Sequence, residues 1–369
     1  MKGSGERLGD CYHTAMTDPD FMIYGATGFS GELIARDAVR RGLRPLVAGR
    51  RADAVRSLAE ELGLEPRVFS LDDPVAVRAG LEGIPSVLHC AGPFASTSEQ
   101  MVDACLDRGV NYLDITGEIS VFESIFALHE RAIEKKIVLM PGVGFDVIPT
   151  DCLAGRLKEA LPDATELELA FTGMGTVSRG TMRTMVMGCS HGGWIRRNGR
   201  LEPVPLGWKI RRIPFADRDR DAVTLPWGDL STAYRSTGIG NIRTYAALPR
   251  GTIRWLRRLE RLRGVLAWGP IQGFLSRAIG WKSRGPEDRE LLEGRCHLWG
   301  EVRNRSGERV FGNFSTPDGY RFTALGSLAA LARIDSVQPG AWTPAQAFGT
   351  EWIESIEGVE VGALTRSVD

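Results

Sequence analysis

The sequence lacks the features that mark several classes of protein. Its 46 basic and 46 acidic residues give a formal net charge of zero, so no overall positive field favours nucleic acid. No apolar run reaches the roughly 18 residues that a membrane-spanning helix needs. The first residues are polar and contain no apolar stretch of the kind found in signal peptides. We therefore expect no nucleic-acid partner, no transmembrane helix and a disordered tail over residues 1–19.

Cysteine is scarce and scattered along the chain. The cysteines form no C-x-x-C pair and no Cys/His spacing suited to zinc. This pattern predicts free thiols in a reducing compartment, which favours a cytoplasmic location, and it predicts no metal site. The six cysteines are Cys11, Cys90, Cys105, Cys152, Cys189 and Cys296.

A glycine-rich stretch near the amino terminus organises the rest of the chain. Residues 21–24 are typical of a short buried strand, and residues 32–39 are typical of a helix. Between them Gly25 allows a tight turn, Gly28 lets the backbone approach a pyrophosphate, and Gly31 lets the helix pack close to the strand. The spacing is G-x-x-G-x-x-G rather than G-x-G-x-x-G, so a glycine-punctuated loop without a ligand is the alternative. The residues predicted to hold the pyrophosphate are Gly25, Thr27, Gly28, Phe29, Ser30 and Gly31.

Two arginines decide which dinucleotide the sequence favours. The second predicted strand, 43–48, runs into Gly49, Arg50 and Arg51 rather than into the acidic residue that holds the ribose 2′-hydroxyl in many NAD-binding folds. Guanidinium groups bind a 2′-phosphate through charge-assisted hydrogen bonds, and a carboxylate would repel it. Arg50 and Arg51 therefore predict NADP(H) rather than NAD(H). The alternative is that they only solvate the start of the next helix.

Strands and helices alternate through about residue 160, which predicts a Rossmann-type α/β fold, a doubly wound parallel sheet with right-handed crossovers. Ligands of such sheets bind beyond the carboxyl ends of the strands. We expect Gly92, Pro93 and Gly117, which follow two of these strands, to line the ribose and nicotinamide of the cofactor. The further predicted strands are 68–71, 86–90, 112–116 and 137–140.

Two polar positions in this half receive structural interpretations. His89 lies inside an apolar strand and is predicted to be a core histidine rather than a catalyst. Asp73 precedes Pro74, and an acidic residue before proline is a common helix opening. We therefore expect Asp73 to cap a helix rather than to contact adenine.

Five motifs at the ends of predicted strands together point to a known family. They are Gly25-Ala-Thr-Gly-Phe-Ser-Gly31, Ala48-Gly-Arg-Arg51, Ala91-Gly-Pro-Phe94, Tyr112-Leu-Asp-Ile-Thr-Gly-Glu118 and Pro141-Gly-Val-Gly-Phe-Asp146. In these motifs the chain resembles the saccharopine dehydrogenase-like oxidoreductases, in particular the branch with the bacterial trans-acting enoyl reductases and the vertebrate saccharopine dehydrogenase-like protein. The resemblance extends over most of residues 20–350 and is most specific before residue 160.

The resemblance implies a domain organisation and a substrate class. An NAD(P)-binding Rossmann domain is expected at 20–160, followed at 161–318 by an α+β substrate domain with a mixed or antiparallel sheet. A C-terminal helical segment, 319–369, is expected to return to the first domain. Saccharopine itself is not implied as the substrate, and the enoyl reductase branch points to a bulky, apolar, lipid-derived molecule.

The sequence does not single out a proton donor. His191, Asp146 and Asp151 are candidates by residue type, although a histidine beside glycines also commonly ends a helix. Arg179 and Arg183 lie one turn apart on a predicted helix, where they would bind an anionic group or form a solvated face.

Residues 254–281 differ from the rest of the chain. Leucines at helical spacing alternate with arginines, and Trp255 and Trp268 flank the first part. Such a segment either lies on an anionic membrane surface or packs on its own domain with the arginines outward. The sequence leaves both open, and it also leaves open a homodimer.

The leading hypothesis is an NADP(H)-dependent oxidoreductase. A hydride would reduce a polarised C=C bond, as in an enoyl, lipid-like substrate, or a C=N bond. The alternative is a non-catalytic nucleotide-binding regulator that associates with a membrane or lipid, since no catalytic signature is evident. A second enzymatic alternative is an amino-acid-type reductase, in which Arg179 and Arg183 would bind carboxylates.

Overall fold

A computed structural model describes residues 19–173, 178, 192–259 and 285–368. Its first half alternates strands and helices, as predicted. The strands are β1 (Met22–Tyr24), β2 (Leu46–Gly49), β3 (Pro66–Val68), β4 (Ser86–His89), β5 (Asn111–Asp114) and β6 (Val138–Met140). The helices are α1 (Phe29–Arg40), α2 (Ala52–Leu62), α3 (Pro74–Gly80), α4 (Ser98–Arg108), α5 (Ile119–Phe126), α6 (His129–Lys135) and α7 (Ile148–Ala160).

The six strands form one parallel sheet in the order β3-β2-β1-β4-β5-β6. A later strand, Gly340–Ala341, pairs with β6 and completes seven. The chain leaves β1 toward β2 on one side, and β4 lies on the other, so a crevice opens beyond the carboxyl ends of β1 and β4. The predicted doubly wound fold is confirmed, and the predicted cofactor residues all follow β1, β2, β4 or β5.

Two details of this half test the local predictions. Asp73 is the N-cap of α3, and its carboxylate accepts two amides of the first turn at 3.0 and 3.1 Å, as predicted. The prediction of the third strand at 68–71 is wrong by about two residues, because β3 spans Pro66–Val68. Phe69 and Leu71 are buried, but they lie in the turn that follows β3. Because β3 is the edge strand of the sheet and pairs only with β2, the pairing ends before these two residues.

A second, mixed sheet follows α7, as predicted. Its first strands are β7 (Glu166–Phe171), β8 (Gly193–Arg197), β9 (Arg200–Val204), β10 (Ile210–Pro214), β11 (Asp219–Thr224) and β12 (Asn241–Ala247). Helices α8 (Asp229–Thr237), α9 (Arg250–Leu259) and α10 (Asp288–Glu293) and strands β13 (Arg295–Arg303) and β14 (Glu308–Pro317) come next. Among the described strands of this second sheet, only β7 and β12 pair in parallel. Helix α7 covers one face, where Gly300 leaves room for Leu157.

The hairpin of β8 and β9 was not predicted. Its strands carry Arg196, Arg197 and Pro203, which obscure the alternation of apolar and polar residues. The turn between them is Asn198-Gly199, and both residues have positive φ, 49° and 78°. An Asn-Gly pair is the strongest short signal of a two-residue hairpin, so this dipeptide could have revealed the turn.

The C-terminal segment returns to the first domain only in part. Helix α11 (Gly319–Leu331) packs against α1, and β15 (Gly340–Ala341) extends the parallel sheet. After α12 (Pro344–Phe348), however, β16 (Glu360–Val361) and β17 (Thr365–Val368) pair with β14 of the second sheet. The prediction of a purely helical segment is therefore wrong, since the free edge of β14 takes these strands. In the described part of the chain, no helix has the length and apolar character needed to cross a bilayer.

A buried arginine joins the two halves. Arg196 on β8 is 5% exposed and donates hydrogen bonds to Glu123 on α5 and to the carbonyls of Leu230 and Gly199. Its guanidinium also lies 4.2 Å from the ring centroid of Tyr234. The ion pair thus bridges a helix of the parallel sheet and a strand of the second one.

We expect Arg196→Leu to lower the free energy of unfolding by about 3 kcal/mol, because the buried guanidinium's hydrogen bonds to Glu123 and to two backbone carbonyls are lost. Urea unfolding would measure the loss. The matched control is Arg197→Leu, which removes the neighbouring, exposed ion pair with Glu202 and should cost under about 1 kcal/mol. Equal losses in the two variants would contradict the bridging role of Arg196.

Candidate functional site

The glycine turn after β1 has the geometry that the sequence predicted. Gly25 has a φ of +84°, and a Cβ there would lie 2.8 Å from the amide nitrogen of Ala91, which follows β4. A Cβ on Gly31 would lie 2.4 Å from the carbonyl oxygen of Gly25. The tight turn and the close packing of helix on strand are therefore confirmed.

The amino terminus of α1 is open at this turn. Gly28 is its N-cap, is exposed, and supplies no side chain to cap the helix. The amides of Phe29, Ser30 and Gly31 have no acceptor among the described residues, and Thr27 lies beside them. Orphan amides at a helix amino terminus bind anions, so this corner fits the pyrophosphate of a dinucleotide.

The two arginines after β2 occupy different positions. Arg51 donates from Nη2 to the carbonyl oxygen of Thr27 at 3.1 Å and to its hydroxyl at 3.0 Å, which ties the β2 loop to the glycine turn. Arg50 is exposed, and its charge acts on the phenol of Tyr24 at the end of β1. Arg50 is therefore at the same edge of the sheet and available to a 2′-phosphate, whereas Arg51 braces the loop.

The turns after β4 and β5 hold each other. The carboxylate of Glu118 accepts the amides of Phe94 and Ala95, at 2.8 and 2.9 Å. These amides follow Gly92 and Pro93, so Glu118 fixes the turn that was predicted to line the nicotinamide. Sequence reasoning missed this residue, although its place after Gly117 at a strand end is a signal for it.

His89 lies beneath this turn and supports it. Its Nε2 lies 3.0 Å from the hydroxyl of Thr97, which bonds the carbonyl of Ala91 at 2.7 Å. Burial lowers the pKa of His89 to about 3, so the ring is neutral. The prediction of a core histidine is confirmed, although its Nδ1 has no partner among the described residues.

Asp114 at the end of β5 braces the turn after β6. It is fully buried, and its Oδ1 accepts the amides of Thr116 and Gly142, both at 2.9 Å. Its Oδ2 accepts the hydroxyl of Tyr112 at 2.7 Å. Burial raises the pKa of Asp114 to about 6, against the opposing effect of these donors. Asp114 belongs to one of the five motifs described above, but no role was predicted for it from the sequence.

Asp146, on the turn between β6 and α7, reaches the edge where nicotinamide is expected. Its Oδ2 lies 2.7 Å from where a Cβ of Gly117 would be. The indole of Trp227, from the loop before α8, donates to the backbone carbonyl of Asp146 at 2.9 Å. Removal from water raises the pKa of the Asp146 carboxyl to about 7. The group can therefore hold or release a proton near neutral pH.

Asp151 is in a different environment, one turn into α7. Its two oxygens accept the hydroxyl of Ser236 on α8 and the amide of Ala345 on α12. It is fully buried, and burial raises its pKa above the usual value. All of these partners belong to helices rather than to the turns at the sheet edge, so Asp151 joins α7, α8 and α12 and is not brought to Gly117.

The remaining candidates are outside the described residues, namely His191, Arg179 and Arg183. Within the described part of the chain, no three histidine, cysteine or acidic side chains are grouped so as to hold a metal ion. Asp229, at the start of α8, is a buried carboxyl that the sequence did not mark. Burial, with Asp151 and Asp146 nearby, raises its pKa well above the usual value.

The edge of the parallel sheet thus presents an anion-binding corner, an exposed arginine and a titratable carboxyl. Residues 21–140 match the family described as the saccharopine dehydrogenase NADP binding domain. The match confirms the resemblance predicted from the sequence, and it confirms NADP(H) as the expected cofactor of this NADP-binding domain.

Curated relatives show similarity over longer stretches. A saccharopine dehydrogenase-like oxidoreductase of Mus musculus is 25% identical over 251 residues, which cover 58% of this chain and 58% of the mouse protein. A trans-acting enoyl reductase of Mycobacterium tuberculosis (strain ATCC 25618 / H37Rv) is 32% identical over 155 residues, 40% of this chain and 37% of that protein. The match therefore spans less than two thirds of the length of these relatives.

A solved structure shows the same fold over nearly the whole chain. It is apo saccharopine dehydrogenase (L-Glu forming) from Saccharomyces cerevisiae, with a TM-score of 0.63 and 11% sequence identity. The alignment covers 94% of this chain and 99% of that one. The NADP-binding domain and the second sheet are therefore arranged as in that fold.

We expect Arg50→Ala to weaken NADPH binding to the NADP-binding domain about 10- to 100-fold, because charge-assisted hydrogen bonds to the 2′-phosphate are lost. NADH binding should change little, since NADH lacks that phosphate. Titrations that follow nicotinamide fluorescence would measure both constants. Arg44→Ala is the control, since Arg44 precedes β2 at the opposite edge of the sheet. An equal loss for NADH and NADPH would contradict a role in 2′-phosphate recognition.

Proposed function

We propose that the protein is an NADP(H)-dependent oxidoreductase that reduces a polarised C=C or C=N bond, with Asp146 as the proton donor. The observation that carries the proposal is the contact of the Asp146 carboxyl with Gly117. This contact places an acid at the edge of the NADP-binding domain, beside the turns expected to line the nicotinamide. Two of the relatives are named an oxidoreductase and an enoyl reductase, and these names support a reduction as the reaction class.

The chemistry explains why a carboxyl is needed there. NADPH held by the amides of α1 and by Arg50 would supply a hydride to one atom of the double bond, so that an electron pair would be left on the other atom. That atom must take a proton to complete the reduction. With a pKa of about 7, Asp146 is largely protonated below neutral pH and can donate to the developing anion. Solvent then returns a proton to the carboxylate.

Aromatic side chains beside Asp146 favour an apolar substrate. The indole of Trp227 lies 4.4 Å, centroid to centroid, from the ring of Phe171 at the end of β7. The same indole is tied to the backbone of Asp146. A substrate that approaches Asp146 from the second sheet would meet the half-buried indole of Trp227, which supports an enoyl, lipid-derived molecule. Steady NADPH consumption with an enoyl thioester or an imine would exclude the alternative of a non-catalytic nucleotide-binding regulator.

We expect Asp146→Asn to reduce turnover about 100-fold or more, since a positioned general acid contributes roughly 10²- to 10⁴-fold. In the wild type, turnover should fall as the pH rises above about 7, because the donor must be protonated. Stopped-flow NADPH oxidation across pH would test both. NADPH affinity should be unchanged, and the exposed Asp335→Asn serves as the control. Full activity of Asp146→Asn would remove Asp146 from the mechanism.

We also propose a cytoplasmic protein that contacts an anionic membrane surface through α9. Trp255 is 59% exposed on this helix, while Ile253 faces inward at 3% exposure. Arg254, Arg257 and Arg258 are exposed and form no ion pair with another described residue. An aromatic side chain among cations that have no ion pair in the described part of the chain is the composition of a surface-bound helix. The cysteines described as free support a reducing compartment.

This contact predicts a defect in vesicle binding. Replacing Trp255 with alanine and Arg254 and Arg258 with glutamine should reduce co-sedimentation about tenfold with vesicles that contain about a third phosphatidylserine. A matched control changes Leu292, which is 69% exposed, and Arg289 on α10. Binding of the wild type to pure phosphatidylcholine, or an equal loss in the control, would contradict an electrostatic contact through α9.

A further inference from the structure

The carboxyl of Asp146 is positioned by backbone alone. Among the described residues, no side chain or amide forms a hydrogen bond with its oxygens, whereas Asp114 and Asp151 each have several donors. Its position at Gly117 therefore depends on what holds the turn between β6 and α7. A donor that must lie within about 3 Å of a reacting atom requires such a turn to be rigid.

Several hydrogen bonds hold the backbone of this turn. The amide of Gly142 donates to the carboxylate of Asp114, and the hydroxyl of Ser327 on α11 donates to the carbonyl of Val143. The amide of Val143 donates to the carbonyl of Asp114 at 2.7 Å. The indole of Trp227 donates to the carbonyl of Asp146 itself. The amide of Phe145, directly before Asp146, donates to the hydroxyl of Thr323 at 3.1 Å. The last contact comes from α11, which the predictions from sequence did not connect to the site.

The hydroxyl of Thr323 both donates and accepts a hydrogen bond in this arrangement. It donates to the carbonyl of Gly319 one turn earlier, at 2.8 Å, and its oxygen accepts the Phe145 amide. Thr323 is buried, and Gly144 permits the approach, since a Cβ there would lie 3.1 Å from the Thr323 methyl. We propose that Thr323 is a positioning residue that holds the Asp146 carboxyl at the edge of the nicotinamide site. The proposal rests on the proposed function of Asp146.

The same helix also contacts the cofactor corner. The ring of Tyr320, in the first turn of α11, packs edge-on against Phe29 with 4.9 Å between centroids. Phe29 is the first residue of α1, where the pyrophosphate is expected to bind. One turn of α11 therefore spans from the phosphate-binding corner to the loop of the acid. Thr323 therefore holds the Asp146 turn from the same helix that contacts the phosphate-binding corner.

The ionisable groups around Asp146 are carboxyls. Asp229 on α8 lies close enough to interact with both Asp146 and Asp151 on α7. Glu118, next to Gly117, is turned toward the amides of Phe94 and Ala95. Burial, rather than a charged neighbour, raises the pKa of Asp146. A turn released from Thr323 would expose the carboxyl to water, and its pKa would fall.

The test compares Thr323→Val, which keeps the shape and removes the hydroxyl, with Thr323→Ser, which keeps it. The control is Thr237→Val, because Thr237 on α8 has the same bonding at 7% exposure. Its hydroxyl donates to Ala233 one turn earlier and accepts the amide of Ile239. The ¹³C carboxyl resonance of Asp146, assigned by its loss in Asp146→Asn, gives the titration in the full-length protein with NADPH bound.

In Thr323→Val, the Asp146 titration should move from about 7 toward the ordinary 3.8, while NADPH affinity stays within about twofold. NADPH consumption should fall about tenfold to a hundredfold. Thr323→Ser should restore both, and Thr237→Val should change neither. An unchanged titration in Thr323→Val, or the same shift in Thr237→Val, would overturn the proposal. Activity retained by Asp146→Asn would instead overturn the proposed function and leave the titration result intact.

Discussion

The structure depends on the absence of side chains at one corner. A Cβ at Gly25 would meet the chain after β4, and a Cβ at Gly31 would meet the carbonyl of Gly25. Because both contacts are with backbone, no neighbouring side chain can move aside to relieve them. The first helix therefore starts directly above the crevice between β1 and β4, with its free amides at the sheet edge. The positions of Arg51 and Phe29 follow from this corner.

Three aspartates with raised pKa values show how one residue type takes different roles. Asp114 and Asp151 accept hydrogen bonds from amides and hydroxyls, so each joins secondary structure elements. Asp146 has no such partner among the described residues, although its pKa is raised by the same loss of water. A buried carboxyl that supports the fold is normally satisfied by donors. The half-buried carboxyl of Asp146 has no such donor among the described residues, which fits its proposed role in proton transfer.

Local patterns in the sequence were sufficient for the first half of the chain. Gly31 and Asp73 have roles that depend on neighbours within a few residues, and the structure confirms them. The contact of Thr323 with Phe145 joins positions 178 residues apart, and no local pattern encodes it. The strands after α12 were missed for the same reason, since they are short and are formed because β14 has a free edge.

The groups of the cofactor corner and several of those that hold the Asp146 turn come from different parts of the chain. The amides of α1 and the side chain of Arg50 lie within residues 21–140, the part that matches the family. Of the contacts that hold the turn around Asp146, those of Trp227 and Thr323 come from outside that range. The cofactor site can therefore stay constant while the loop before α8 and the face of α11 change. Those later elements also hold the proposed proton donor, Asp146. Substitutions in them would therefore change the shape of the substrate site and the position of the donor together.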